Sequence, residues 1–149
     1  MRSMRWRRAV AAGALAVALA ACGGGSSGSS PGGSTKAAWT AEHAEALATL
    51  TTELETARAT LSSLQRPDIL GTCTLLRDSL GEARKGLPVP DPRSDAALRA
   101  SLDAVATGTT DCIEGARGPD IPRLEKSFRE LREARTLIEV ATRTIDAWT

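Results

Sequence analysis

The stretch 46–64, ALATLTTELETARATLSSL, sets Leu47, Leu50, Leu54, Ala57, Leu61 and Leu64 at alternating spacings of three and four. A helix with about 3.6 residues per turn returns to the same face at that interval, so these side chains form one apolar stripe, with Glu and Thr at many of the other positions. Thr40, or an earlier Ser or Thr, is placed to cap the start of this helix. Glu42 suits the positive end of its dipole, and Pro67 is expected to stop it.

The same period recurs three times downstream. Ile69, Cys73, Leu76, Leu80 and Ala83 mark a second helix from about Asp68 to Lys85, with Gly86-Leu87 expected as a left-handed Schellman ending and Pro88 beyond it. Asp91-Pro92 has the chemistry of an N-cap and first helical residue; the seam that follows is Leu98, Leu102, Val105, Thr109, Cys112 and Ala116, closed by Gly118-Pro119. Gly108-Thr109-Thr110 is its expected weak point. Asp120 caps a fourth helix with Leu124, Phe128, Leu131, Ala134, Ile138, Ala141, Ile145 and Trp148 on its inner face. No segment alternates as a strand does. Short links favour antiparallel neighbours, so the fold expected is all-α, an up-down-up-down four-helix bundle over residues 38–149.

Upstream the composition changes. Arg2, Arg5, Arg7 and Arg8 precede Ala9–Ala18, an apolar run about ten residues long and half of the roughly 20 needed to span a bilayer. It leads into Leu19-Ala20-Ala21-Cys22, and Gly23–Thr35 is Gly and Ser with few other residues. Residues 1–22 resemble the signal peptide and lipobox of bacterial lipoproteins. The resemblance implies cleavage before Cys22, a diacylglycerol on its thiol, and in many species an acyl chain on the new amine. Residues 1–21 are then the signal peptide and 22–37 the lipidated cysteine and tether. Thirteen Gly/Ser-rich residues span about 20 Å as a flexible coil, which would hold the domain close to a membrane. The pattern as a whole resembles small actinobacterial envelope lipoproteins of unassigned function. It implies a lipid-anchored protein on the extracytoplasmic face of the cell membrane, and the residues it assigns are Cys22 and, loosely, the Cys73 and Cys112 pair.

Charge and composition narrow the function. Four of the 19 cationic side chains lie in the leader, so 15 remain against 18 acids, about −3 for the exported part. Such a balance disfavours nucleic acid, which is bound largely through basic side chains. Cys73 and Cys112 lie on the inner stripes of consecutive helices, at comparable distances from the Gly86–Asp91 turn. In an oxidising compartment a disulfide is expected, contributing roughly 3 to 4 kcal/mol; two buried free thiols and a redox pair are the alternatives, the latter without a CxxC motif. His43 is the single histidine and the mature part has no methionine, so no metal or haem site is expected and no cofactor is implied. His43 reads as a packed or half-exposed residue near the tether end.

Trp39 and Trp148 fall at that same end, as a hydrophobic plug or as a pair that stacks on a ligand. Asp103, Asp111 and Glu114 read as a solvated acidic face, and Arg123, Lys126, Arg129, Arg132 and Arg135 interleave with Glu125, Glu130 and Glu133 as an exposed, ion-paired one. There is no GxSxG, Walker loop, HExxH or repeated Glu-x-x-His. The expected function is therefore a non-catalytic binding or scaffold module of the cell envelope with a membrane contact through Cys22 and an envelope protein partner. The alternative is a small-molecule or lipid-binding protein using the core near Trp39, His43 and Trp148. An enzyme acting on cell-wall material through paired carboxylates is least favoured.

Overall fold

The computed structural model describes residues 35–63 and 66–149; the leader, Cys22, the Gly/Ser stretch up to residue 34 and Leu64 lie outside the described residues. Four helices follow in order: α1 (Lys36–Ser63), α2 (Arg66–Arg84), α3 (Pro92–Arg117) and α4 (Ile121–Ala147). Each packs on its neighbour in sequence and α4 closes back on α1, giving the expected four-helix bundle. The stripes meet inside: Leu50, Leu54, Ala57 and Leu61 face Ile69, Cys73, Leu76 and Leu80, with Leu98, Leu102, Val105, Leu124, Leu131, Ala134 and Ile138 completing the core.

Helix ends differ from expectation in ways the local chemistry explains. Of the caps the sequence allowed for α1, the earlier Thr35 serves rather than Thr40, its hydroxyl accepting from the Ala38 amide at 3.3 Å, and the helix begins two residues before the expected domain boundary. Pro67 does not end α1; it lies in the first turn of α2, where its missing N–H is not needed. Asp91 and Asp120 cap α3 and α4 as expected, accepting from the amides of Ser94 and Arg123. The end of α2 is not a Schellman motif. Among the described residues no glycine has positive φ, and the amides of Lys85, Gly86 and Leu87 each bond three residues back. Gly86 serves close approach instead: a Cβ there would lie 3.2 Å from the His43 ring.

Two interfaces lock the α2–α3–α4 side. The sulfurs of Cys73 and Cys112 are bonded, with Cα atoms 6.2 Å apart. Between α3 and α4, the expected weak point at Gly108 is the place of closest packing, and α3 runs through it unbroken. A Cβ on Gly108 would come within 2.6 Å of Leu131 Cδ2, and one on Gly115, two turns on, within 3.0 Å of Leu124 Cδ2. Bare backbone at both lets the helices approach, and the buried Ser127 hydroxyl donates to the Gly108 carbonyl at 2.7 Å.

Asp111 departs from its expected solvated face. It is 7% exposed and bound by Lys126 Nζ at 2.6 Å and Arg123 Nε at 3.1 Å from α4. The Lys126 hydrogen bond above all, then that of Arg123, holds its carboxyl below the usual carboxylate range against the opposing effect of burial. Arg123 also reaches Glu114 and Lys126 reaches Glu130, so the alternating charges of α4 act partly across the α3–α4 interface rather than only along an exposed face.

Candidate functional site

The fourth interface, α1 against α4, is the sparsest of the four between successive helices of the ring. Small side chains explain it. Ala44, Ala48 and Thr51 on α1 and Thr142 on α4 are too short to fill the space between the helices, and a groove of about 620 Å³ remains. Its apolar wall is Trp39, Leu47, Ile138 and Ile145, and its polar lining includes Thr40, Glu139, Arg143 and Asp146. The seam is held at its start by Lys36 Nζ, which donates to the Asp146 carbonyl at 2.5 Å, and midway by the Arg135–Glu55 ion pair. Farther along, Leu61, Ser62, Leu124 and Phe128 line a smaller hollow of about 350 Å³.

The groove's polar groups are unequally occupied. Glu139 is paired with Arg135 at 3.3 Å. Arg143 has no carboxylate within ion-pair distance among the described residues. The Thr40 hydroxyl is the unusual one. Thr51, Thr52, Thr56, Thr60, Thr72 and Thr74 each donate to the carbonyl one turn back, the normal outlet for a helical threonine. Thr40 Oγ1 is buried and makes no hydrogen bond among the described residues. A buried hydroxyl without a partner costs of order 1–3 kcal/mol, which a bound acceptor or donor would recover.

The residues expected from sequence to gather at the tether end separate into two places. Trp39 is 4% exposed, borders the groove, and donates from Nε1 to the Gly86 carbonyl at 2.9 Å. His43, one turn on, packs with its ring centre 5.2 Å from that of Trp39 and against Gly86, which makes it a packed residue of the α1–α2 corner. Trp148 lies just past α4 in extended backbone, off the helical stripe, and lines a separate hollow with Asp91, Arg93 and Thr144. Trp39 alone of the three touches the groove.

Thr40 and Arg143 were not singled out from sequence as contact residues. Nothing in a threonine's neighbours along the chain tells whether its hydroxyl finds the carbonyl behind it, and Arg143 looks like any exposed cation of an amphipathic helix. Among the described residues no three His, Cys, Asp or Glu side chains are placed to hold a metal ion, and no helix is long and apolar enough to cross a membrane. Comparison with protein-family models, curated proteins and solved structures finds no match to this chain.

Proposed function

We propose that this chain is a non-catalytic binding module held on the extracytoplasmic face of the cell membrane by lipid on Cys22, and that the α1–α4 groove is its binding surface. The observation that carries the tether is the order of residues 1–35: cationic start, short apolar run, Leu-Ala-Ala-Cys, then Gly/Ser. An apolar run too short to stay in the bilayer and a Gly/Ser-rich stretch after the cysteine have a common purpose if the cysteine is the point of attachment.

The groove supports binding over catalysis. Its volume falls in the roughly 300–1,000 Å³ range of ligand sites, its walls are mostly apolar, and a few polar groups stand along it. Of the groove's two carboxylates, Glu139 is paired with Arg135, which leaves Asp146 without a second free acid beside it, and Asp111 and Glu114 on α3 are held by Arg123 and Lys126. An envelope protein docking on the same helices is the second reading, supported by the exposed Val140 on α4.

Fractionation of cells expressing the full chain tests the tether. The protein is expected with membranes, with an intact mass raised by a diacylglycerol and lowered by loss of residues 1–21. Cys22→Ala should abolish the added lipid mass. An unmodified thiol at position 22 in the wild-type protein would overturn the proposal.

A further inference from the structure

We infer that the α1–α4 groove takes one long-chain fatty acid, with the acyl chain along Trp39, Leu47, Ile138 and Ile145 and the carboxylate at Thr40 and Arg143. The inference rests on the proposed tether for where the ligand comes from, but its chemistry comes from the groove. The groove-lining residues of α1 run from Trp39 to Thr51, a separation of twelve positions and therefore about 18 Å at 1.5 Å per residue. That is close to half of the roughly 30 Å hydrocarbon core of a bilayer, the length of chain one leaflet holds.

Volume decides how many chains fit. Giving each carbon roughly the 30 Å³ of a water molecule, sixteen carbons fill about 480 Å³ and two such chains about 960 Å³. A groove of about 620 Å³ therefore suits one chain and its head, and a diacyl lipid would leave its second chain in water. A peptide helix fits less well: about 10 Å across and 18 Å long, it occupies about 1,400 Å³ and would stand more than half outside.

The head is set by the polar groups. Thr40 Oγ1, buried and unpartnered, is a donor in need of an acceptor, and Arg143 supplies an unpaired cation on the facing helix. Lys36 adds a second cation at the same end, through its bond to the Asp146 carbonyl. Against them stands the Asp146 carboxylate, since Glu139 is neutralised by Arg135, so the head region has a cationic excess. A lipid anchor on Cys22, as proposed, would place the domain beside the membrane that supplies the fatty acid. The protein's own anchor is a poorer occupant, because withdrawing one of its chains from the bilayer weakens the attachment.

The test uses the full chain without vesicles and a 16-carbon fatty acid bearing a terminal photoreactive diazirine. Saturable labelling at one equivalent is expected, mapped by peptide mass to residues 39–51 and 138–146 and displaced by unlabelled palmitate. Ala48→Trp and Thr142→Phe, two ways of filling the groove, should each cut labelling at least fivefold with helicity by circular dichroism unchanged. Thr40→Val, which keeps the shape and removes the donor, should weaken fatty-acid binding about tenfold and leave binding of hexadecane, which offers no acceptor, nearly unaltered. Labelling that does not saturate, that spreads over the surface or falls in residues 1–34, or that survives both groove-filling variants would overturn the inference. So would a lipidated preparation that excludes palmitate while the Cys22→Ala chain accepts it, since the anchor would then be the occupant. Because no membrane is present, a null result leaves the tether at Cys22 standing, and loss of the tether leaves the groove result readable.

Discussion

Replacing glycine by alanine inside a helix normally stabilises it by about 0.8–1 kcal/mol, because alanine loses less backbone freedom on folding. This protein has helical glycines where that rule should hold and one where it should reverse. Gly71 and Gly81 in α2 have nothing within 4 Å of an added Cβ, so Gly71→Ala and Gly81→Ala should each gain close to that amount. At Gly108 the same methyl would meet Leu131 at Cδ2 (2.6 Å), at Cγ (2.9 Å) and at its backbone nitrogen (3.2 Å). Leu131 is fully buried, so neither its side chain nor the helix behind it can move freely. Overpacking of that kind costs about 1–3 kcal/mol. Forcing α3 from α4 also stretches the Ser127–Gly108 hydrogen bond, worth about 1 kcal/mol. After the propensity gain is subtracted, Gly108→Ala should be less stable than wild type by about 2 kcal/mol.

Urea unfolding followed by circular dichroism at 222 nm measures all three variants on one scale. Gly108→Ala should have the lower midpoint at unchanged slope, and Leu131→Ala in the same chain should relieve part of the penalty, a coupling the single variants would not show. A Gly108→Ala protein as stable as Gly71→Ala would refute the account of the α3–α4 contact.

Two further outcomes follow from the same interfaces. Asp111 titrates below its unfolded value of about 3.9, so its contribution to stability is present above that pH and is lost as pH falls through the lower folded value. Acid unfolding below about pH 4 should therefore be less steep in Asp111→Asn than in wild type, and superposable acid limbs would show that the Lys126 and Arg123 contacts do not bind the carboxylate in solution. Removing the cross-link with Cys73→Ser and Cys112→Ser together, which opens a loop spanning a sequence separation of 39, should lower stability by about 4 kcal/mol on the chain-entropy estimate. The oxidised protein should gain about 2 Da on reduction, and free thiols in protein purified from the cell exterior would count against the pairing.

The stripes at 47–61, 69–83, 98–112 and 124–145 were legible in the sequence because an α-helix converts spacing into a face with almost no help from the rest of the chain. The caps at Asp91 and Asp120 were legible for the same reason: the side chain bonds an amide three residues away, wholly within its own segment. The nearness of Cys73 and Cys112 followed from two stripes and a short turn. Pro67 misled because proline ends one helix and begins the next with equal ease, and only the position of α2 distinguishes the two roles.

What one helix presents to another was not legible. Gly86 and Gly108 look like breaks along the chain, yet one is kept bare for the His43 ring and the other for Leu131, contacts made by residues 43 and 23 positions away. Asp111 looks solvated until α4 lays Lys126 and Arg123 over it. The groove is a shortfall of volume between Ala44, Ala48, Thr51 and Thr142, and a shortfall belongs to no single segment. It exists only because the other three interfaces hold α1 and α4 at a separation that these small side chains cannot bridge.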